Sequence, residues 1–463
     1  MAIRFGTSGW RSIIAKEFTF QNVELVTKAI CGYLTTQDST NSKPLIIGHD
    51  TRFMGEEFSR VAAEIAERKG FRVLLCNQPV PTPAISYAII AENAAGSLNF
   101  TASHNPPEYQ GIKFSTSDGS PAMPEITKQI EDLIDSENEV EDKIGGSIEG
   151  FDLREGYLND LKKKVRMAVI ANAGGKYAYD PLWGTGRGFL DGFLRDEGLS
   201  VETIHDWRDV RFGGQAPEPG EEHLSELREK VIRNNLTLGL ATDGDADRFG
   251  IIDSNGEFMM PNSLIALLAD YLAESRKWIK GLARSVATSH MVDRVAKAHG
   301  LKLYETPVGF KFIGELIKED EIILGGEESA GLSIRGHYPE KDGILACLLA
   351  AEAVAARGKS LTEQLGDLTK ELGHLESGRL GVRLTEDVSA KLKEKLSAEP
   401  NEIGGREIAE INRLDGVKFI FANGSWMLMR PSGTEPVVRI YAESESRADL
   451  EVLLEQGRNY LLG

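Results

Sequence analysis

Apolar positions along this chain fall into two alternating rhythms. In "VELVTKAICGYL" Val23, Val26, Ile30 and Leu34 recur at helical intervals, which predicts an amphipathic helix. "PLIIGHDTR" packs its apolar residues into one short run that enters a polar loop, as a buried strand does. "SRVAAEIAERKG" returns to the helical spacing and stops at Gly70, and "FRVLLC" is again a strand. "AAGSLNF" is one more apolar run, leading directly into "TASHNPP" at residues 101–107. Such alternation predicts an α/β sheet, whose ligands gather at the carboxyl ends of its strands.

The rhythm fails over 135–150, "DSENEVEDKIGGSIEG", an acidic, glycine-rich stretch that reads as a linker. It then resumes. "YAYDPLWGTGRGFL" gives a strand, a glycine turn and a helix start, and "LTLGLATDGDADRFGIID" gives two strands around an acidic loop. A third unit follows: helix "SLIALLADYL", strand "RSVAT", helix "VDRVAKAHG", strands "LKLYETP" and "EIILGG", and a long helix from Asp342. Around "KELGHLESGR" the pattern changes. "REIAEI", "VKFIFA", "SWMLMR" and "VVRIYAES" are successive strands between two helices, an α+β pattern. The expected domains are 1–140, 150–254, 255–367 and 375–463, with no internal repeat evident in the sequence.

Length and composition agree with several soluble domains: 463 residues exceed one core, and 41% hydrophobic with 27% charged residues is ordinary for a globular chain. The formal net charge of -18 leaves no basic stripe for nucleic acid, so an anionic small substrate needs a local pocket of Arg and Lys. No apolar run approaches a membrane span, and "MAIRFGTSGWR" lacks the apolar core of a signal peptide, so the mature chain is expected to start there. Cys31, Cys76 and Cys347 form no Cys-x-x-Cys; they point to a reducing cytoplasm and away from disulfides or zinc.

The candidate chemistry lies in the loops. Asp243, Asp245 and Asp247 in "TDGDADRFG" repel one another unless a cation sits among them, and oxygen ligands suit Mg²⁺ or Mn²⁺. An EF-hand is excluded, because Arg248 stands at its glycine position and Ser254 at its final glutamate. A solvated acidic turn is the plainer alternative. A divalent ion among carboxylates commonly also takes a phosphate oxygen, which makes Ser103 a candidate phosphoserine or attacking hydroxyl. Taken alone, Ser103 is more commonly a serine capping a turn, and His104 more often a hydrogen-bonded structural imidazole. "GGEESAG" (325–331) offers Glu327 and Ser329 to sugar hydroxyls, or is a glycine-flanked surface turn. "RPSGTEP" (430–436) offers Arg430, Ser432, Gly433 and Thr434 as a phosphate nest, or is a hairpin turn. Arg11 gains interest only with an anionic substrate in view. Lys113 moves a proton only if burial or neighbouring cations lower its pKa.

In this order "TASHNPPEYQGIKF", "DGDADR", "GGEESAG" and "RPSGTEP" resemble the alpha-D-phosphohexomutase superfamily, across essentially the whole chain. The resemblance implies an α/β fold of four domains around a central cleft: three related α/β domains with mixed sheets and a smaller C-terminal α+β domain that rotates to close it. It implies a phosphate on Ser103, Mg²⁺ beside Ser103, Asp243, Asp245 and Asp247, and transition-state charge offset by Arg11 and Arg248. Lys113 or His104 moves the proton, with Lys113 favoured. Glu327, Ser329 and Lys311 (in "TPVGFKF") face the sugar, and the nest of Arg430, Ser432, Gly433 and Thr434 holds its phosphate. The implied reaction converts a hexose 1-phosphate to the 6-phosphate through a hexose 1,6-bisphosphate, which also activates the enzyme. Glu-Glu-Ser in "GGEESAG" resembles phosphoglucomutases, so glucose is the expected sugar; mannose or glucosamine phosphates, a metal-dependent sugar phosphatase and a non-catalytic sugar-phosphate sensor are the alternatives. A locked hinge near 365–378 is expected to slow turnover. No oligomeric state follows from the sequence.

Overall fold

The computed structural model describes residues 3–6, 8–37, 43–136, 142, 145–432 and 437–463. Its first sheet contains β1 (Trp10–Ile13), β2 (Leu45–His49), β3 (Arg72–Cys76), β4 (Gly96–Phe100), β5 (Tyr109–Thr116) and β6 (Ser147–Phe151), ordered β1-β5-β4-β2-β3-β6. The second contains β7 (Lys176–Asp180), β8 (Ser200–Thr203), β9 (Leu238–Thr242) and β10 (Phe249–Asp253), ordered β10-β9-β7-β8. The third contains β11 (Gly281–Ser285), β12 (Leu303–Thr306), β13 (Ile322–Glu327) and β14 (Gly331–Ile334), ordered β12-β11-β13-β14.

These three sheets share one plan. Each has a parallel trio, β4-β2-β3, β9-β7-β8 or β13-β11-β12, and each trio carries an antiparallel return strand, β5, β10 or β14. The fourth sheet is antiparallel throughout. It runs β15-β20-β19-β18-β17-β16, from β15 (Glu376–Arg383), β16 (Glu402–Ile403), β17 (Arg406–Asn412), β18 (Val417–Phe421), β19 (Trp426–Pro431) and β20 (Val437–Ser444). Helices Glu386–Ser397 and Arg447–Leu462 accompany it. The chain is therefore three related mixed α/β domains followed by an antiparallel α+β domain.

Sequence rhythm and structure agree where a face is buried. Val23, Val26, Ile30 and Leu34 all turn inward on the helix Phe20–Thr35, and Asp342 caps the helix Gly343–Arg357 by accepting the Leu345 N–H at 2.9 Å. They part at several places, of which three show why. β6 forms inside the expected linker, where a largely exposed edge strand shows no apolar alternation. β11 begins at Gly281 and ends at Ser285, so most of "RSVAT" lies beyond the strand. β15 was not expected, because Gly378 and Gly381 interrupt its pattern.

One apolar cluster runs through the first three domains, from Ile46 and Ile85 through Leu240 and Phe249 to Leu267 and Leu348. The fourth domain has its own core around Phe419, Met427, Ile440 and Leu453. It meets the third domain along a narrower seam of Trp426, Leu428 and Tyr441 against Val286 and Ala287. Polar contacts line that seam: Lys418 Nζ donates to Val286 O at 2.8 Å, and Glu443 accepts the His290 N–H at 3.0 Å. The covalent link follows the helix Leu361–Leu372, with Gly373 at φ 86 just before β15. No helix among the described residues is long and apolar enough to cross a membrane.

Candidate active site

In every domain the stretch singled out from the sequence turns the chain between two antiparallel neighbours. Ser103 lies between β4 and β5, Asp243–Asp247 between β9 and β10, Glu327–Ser329 at the β13–β14 turn, and Arg430–Ser432 where β19 ends before β20. The structure brings the first two loops together. Ser103 Oγ donates to Asp243 Oδ2 at 2.8 Å across the domain boundary. Gly244 makes this approach possible: a Cβ there would meet Ser103 O at 2.6 Å. Ser103 itself adopts a left-handed conformation, φ 52, that aims the hydroxyl across the boundary.

The three aspartates are buried, and one oxygen from each lies within 4.8 Å of the others. Asp243 Oδ1 accepts the Arg248 N–H at 3.0 Å. Lys113 Nζ reaches Asp245 Oδ2 at 2.5 Å and Asp247 Oδ2 at 2.7 Å; Thr82 also donates to Asp245. Lys341 Nζ reaches Asp247 Oδ2 at 2.7 Å from the third domain. Among the described residues Asp245 Oδ1 and Asp247 Oδ1 have no hydrogen-bond partner although both are buried. Orphaned carboxylate oxygens are costly unless something else takes them. An all-oxygen donor set of this kind fits a hard divalent cation such as Mg²⁺.

Charge is unequally shared in the trio. Burial, with the charges of Asp247 and Asp245, pushes Asp243 well above the usual carboxylate range. Burial also pushes Asp247 up, but Lys113, Lys341 and Arg248 outweigh it and hold the group far below that range. Lys113 departs from expectation. Burial pulls it down, yet Asp245 and Asp247 more than offset this and keep it above the ordinary lysine range, so the lowered pKa needed for a proton carrier is not met. His104 behaves oppositely: burial, then Arg248 and Arg11, pull it well below its usual value. Its Nδ1 lies 3.4 Å from Ser103 Oγ. Arg11 Nη1 donates to Asn105 Oδ1 at 2.7 Å, and Arg248 Nε is buried with no partner among the described residues.

Along the cleft, Glu327 Oε1 accepts the Gly309 N–H at 2.7 Å, which ties "GGEESAG" to "TPVGFKF". Burial and then the Glu328 charge raise Glu327 to about 7. Lys311 is nearly buried, which lowers its pKa, and no carboxylate reaches it within ion-pair distance among the described residues. A cavity of about 270 Å³ is lined by Arg248, Glu328 and Ser329 with Arg379 and Tyr441 of the fourth domain. Arg430 Nε pairs with Asp415 at 2.7 Å. Ser432 N donates to Val437 O at 2.9 Å, while Gly433 and Thr434 lie outside the described residues.

Two residues that the sequence reading passed over belong to this site. Arg52 is fully buried and spends its guanidinium on the Ser103 loop. It donates to the carbonyls of Ser103 (2.7 Å), Asn105 (2.5 Å), Pro106 (2.8 Å) and Tyr109 (3.0 Å), and to Asp50 Oδ2 (3.1 Å). Asp50 in turn accepts from Thr101 Oγ1 at 2.6 Å, which accepts the Ser103 N–H at 2.9 Å. The signal was present: "HDTR" follows a parallel strand at its carboxyl end. Lys341, one residue before the cap of a long helix, carried no such signal.

Comparison with known proteins matches all four domains to one family. The models described as phosphoglucomutase/phosphomannomutase alpha/beta/alpha domains I, II and III match residues 2–141, 155–256 and 260–372, and the C-terminal domain model matches 383–458. A phosphoglucomutase/phosphomannomutase of Thermococcus kodakarensis is 31% identical over 98% of this chain and 97% of its own length. A phosphoglucomutase of Komagataeibacter xylinus is also 31% identical, covering 99% of this chain and 90% of its own. A phosphoglucosamine mutase of Clostridium botulinum shows the same 31% over 99% and 98%. The crystal structure of a Thermus thermophilus protein given the name phosphomannomutase superposes with a TM-score of 0.87, at 35% identity over 100% of both chains.

Proposed function

The chain belongs to the phosphoglucomutase/phosphomannomutase family and is a phosphohexomutase, an isomerase of carbohydrate metabolism, and we propose that it interconverts glucose 1-phosphate and glucose 6-phosphate through a phosphate carried on Ser103. The observation that carries this reading is the 2.8 Å contact between Ser103 Oγ and Asp243 Oδ2, made by two domains. A phosphoryl group on Ser103 starts beside the trio whose orphaned oxygens suit a divalent ion. Asp243, Asp245 and Asp247, with the Ser103 oxygen, would hold Mg²⁺, which would supply positive charge to the phosphoryl group.

The chain's own groups do the rest. Arg430 and Ser432, with Gly433 and Thr434, hold the phosphate of the incoming sugar; Lys311, Glu327 and Ser329 orient the ring. The sugar's free hydroxyl attacks phosphorus, and its new O–P bond forms as the Ser103 Oγ–P bond breaks, giving a hexose 1,6-bisphosphate. His104, whose Nδ1 lies 3.4 Å from Ser103 Oγ, takes the hydroxyl proton and passes it to the departing Ser103 oxygen. Lys113, Arg11 and Arg248 contribute charge. The intermediate turns within the cleft, its other phosphate returns to Ser103, and the proton goes back to the leaving sugar oxygen. Added hexose 1,6-bisphosphate activates by phosphorylating any bare Ser103. We assign the protein to the cytoplasm, where its three buried, unpaired cysteines stay reduced.

Glucose is favoured by the Glu-Glu-Ser form of "GGEESAG". Relatives named for different sugars stand at equal identity, so overall likeness does not separate them. A coupled assay with Mg²⁺ and a trace of the matching bisphosphate, comparing glucose, mannose and glucosamine 1-phosphates, decides the sugar. Ser103→Ala is expected to cost at least about 10⁴-fold in turnover. Full turnover in that variant, or phosphate release outrunning glucose 6-phosphate formation in the wild type, overturns the mutase reading.

A further inference from the structure

Asp415 stands in the turn between β17 and β18, on the face of the fourth domain that meets the third. A single oxygen, Oδ2, accepts from both sides of the seam. It takes the Val308 N–H of the third domain at 3.0 Å and the Arg430 Nε–H of its own domain at 2.7 Å. The next amide along the third-domain loop, Gly309 N–H, goes to Glu327 Oε1 at 2.7 Å. Consecutive amides of "TPVGFKF" are thus claimed by carboxylates of two domains, one in the sugar loop and one beside the arginine of the phosphate loop. The same turn makes a second contact, Asn412 Nδ2 to Glu305 Oε2 at 2.5 Å.

From this arrangement we infer that Asp415 is a positioning residue: it holds Arg430 ready for the substrate phosphate only while the fourth domain is docked against the loop at 306–311. The inference rests on the reading of Arg430 as a phosphate ligand. An arginine side chain left free loses considerable rotamer entropy when it binds an anion. Asp415 removes that cost beforehand, and it engages Nε, not the terminal nitrogens that pair bidentately with phosphate. Because the same oxygen needs Val308 to complete its contacts, the preorganised arginine and the docked domain are one state. Phosphate capture and cleft closure are therefore coupled through four named contacts, and coupling of this kind has to be measured as such.

The test uses the full chain and compares wild type with Asp415→Asn and with Val308→Pro, which deletes the donated N–H together with the valine side chain packed on the seam, so Val308→Ala serves as its control. Three quantities are read: KM and kcat for glucose 1-phosphate, the Kd of inorganic phosphate by calorimetry, and amide hydrogen exchange across 306–311. Both variants are expected to raise KM and phosphate Kd about tenfold, as for one charge-assisted hydrogen bond, with kcat within about twofold. Exchange across 306–311 is expected to accelerate in the free protein. Unchanged exchange, or faster exchange with KM and phosphate Kd unmoved, overturns the role of Asp415. A wild-type protein that turns over no hexose phosphate sinks the mutase reading instead, and the phosphate and exchange measurements still decide the role of Asp415.

Discussion

The two ends of the cleft are built to opposite rules. At the Ser103 end, three domains share one apolar cluster, the aspartates are fully buried, and Lys113 and Lys341 reach the trio from two directions. At the Arg430 end, the arginine and its carboxylate keep 14% and 25% side-chain exposure, in a domain with its own core and a narrow seam. The difference follows from what the proposed reaction asks of each end. Phosphoryl transfer gains most from charges fixed before the reaction starts, since reorganising them costs rate. Substrate entry and the turning of an intermediate need an end that opens, and a domain outside the common core can move without breaking it.

The largest effect is expected from breaking the fixed end. Asp245→Asn removes one of the three carboxylate charges and leaves Lys113 with a single carboxylate partner. Turnover is expected to fall by about a thousandfold, and Mg²⁺ affinity with it. Steady-state rates across a Mg²⁺ titration, with calorimetry of Mg²⁺ binding, check this; an unchanged Mg²⁺ dependence removes the metal site. Next in size is Arg52→Lys. Lysine cannot hold four carbonyls and Asp50 at once, so the Ser103 loop loosens while the sugar-binding loops are untouched. We expect kcat to drop about a hundredfold with KM within about twofold. A rise in KM with kcat intact would place Arg52 on the substrate side and erase the contrast between the two ends.

Legibility in the sequence followed burial. Many helices and strands with one buried face announced themselves, though β1 and β14 did not, and so did the acidic trio and the four loops. The fold's threefold plan was legible only through the family resemblance, because β5-β4-β2-β3, β10-β9-β7-β8 and β14-β13-β11-β12 repeat as topology with no residue repeat to betray them. β6 and β15 were missed because exposed or glycine-broken strands carry no period. In the site, Ser103 and the aspartates are local motifs, whereas Arg52, Lys341 and Asp415 act on residues far along the chain. The charge environment of Lys113 was hidden for the same reason. Its neighbours in sequence are neutral, and the carboxylates that keep it protonated arrive from another domain.

The smallest expected effect lies midway between the ends, at Glu327. Its carboxyl is raised from 4.5 to about 7 by burial and the Glu328 charge. The sign follows from proton binding: between those values the folded state holds a proton that the unfolded state has released. Stability from this group is therefore full below about pH 4.5 and is lost as pH rises through 7. Glu327→Gln carries no charge at any pH and still accepts the Gly309 N–H. It is expected to match the wild type in Tm near pH 5 and to exceed it by a few degrees near pH 8, as its missing charge predicts. Activity should move the other way. At pH 8 the ionised carboxylate is the stronger acceptor for a sugar hydroxyl, so the variant's KM is expected to rise about threefold, and at pH 5.5 to be unchanged. Stability and affinity diverging with pH in this way would mark Glu327 as a site where binding is maintained at a cost in folding. Parallel Tm curves for the two proteins from pH 5 to 8 would instead mean that the carboxyl is already ionised throughout, and that the middle of the cleft belongs with its fixed end.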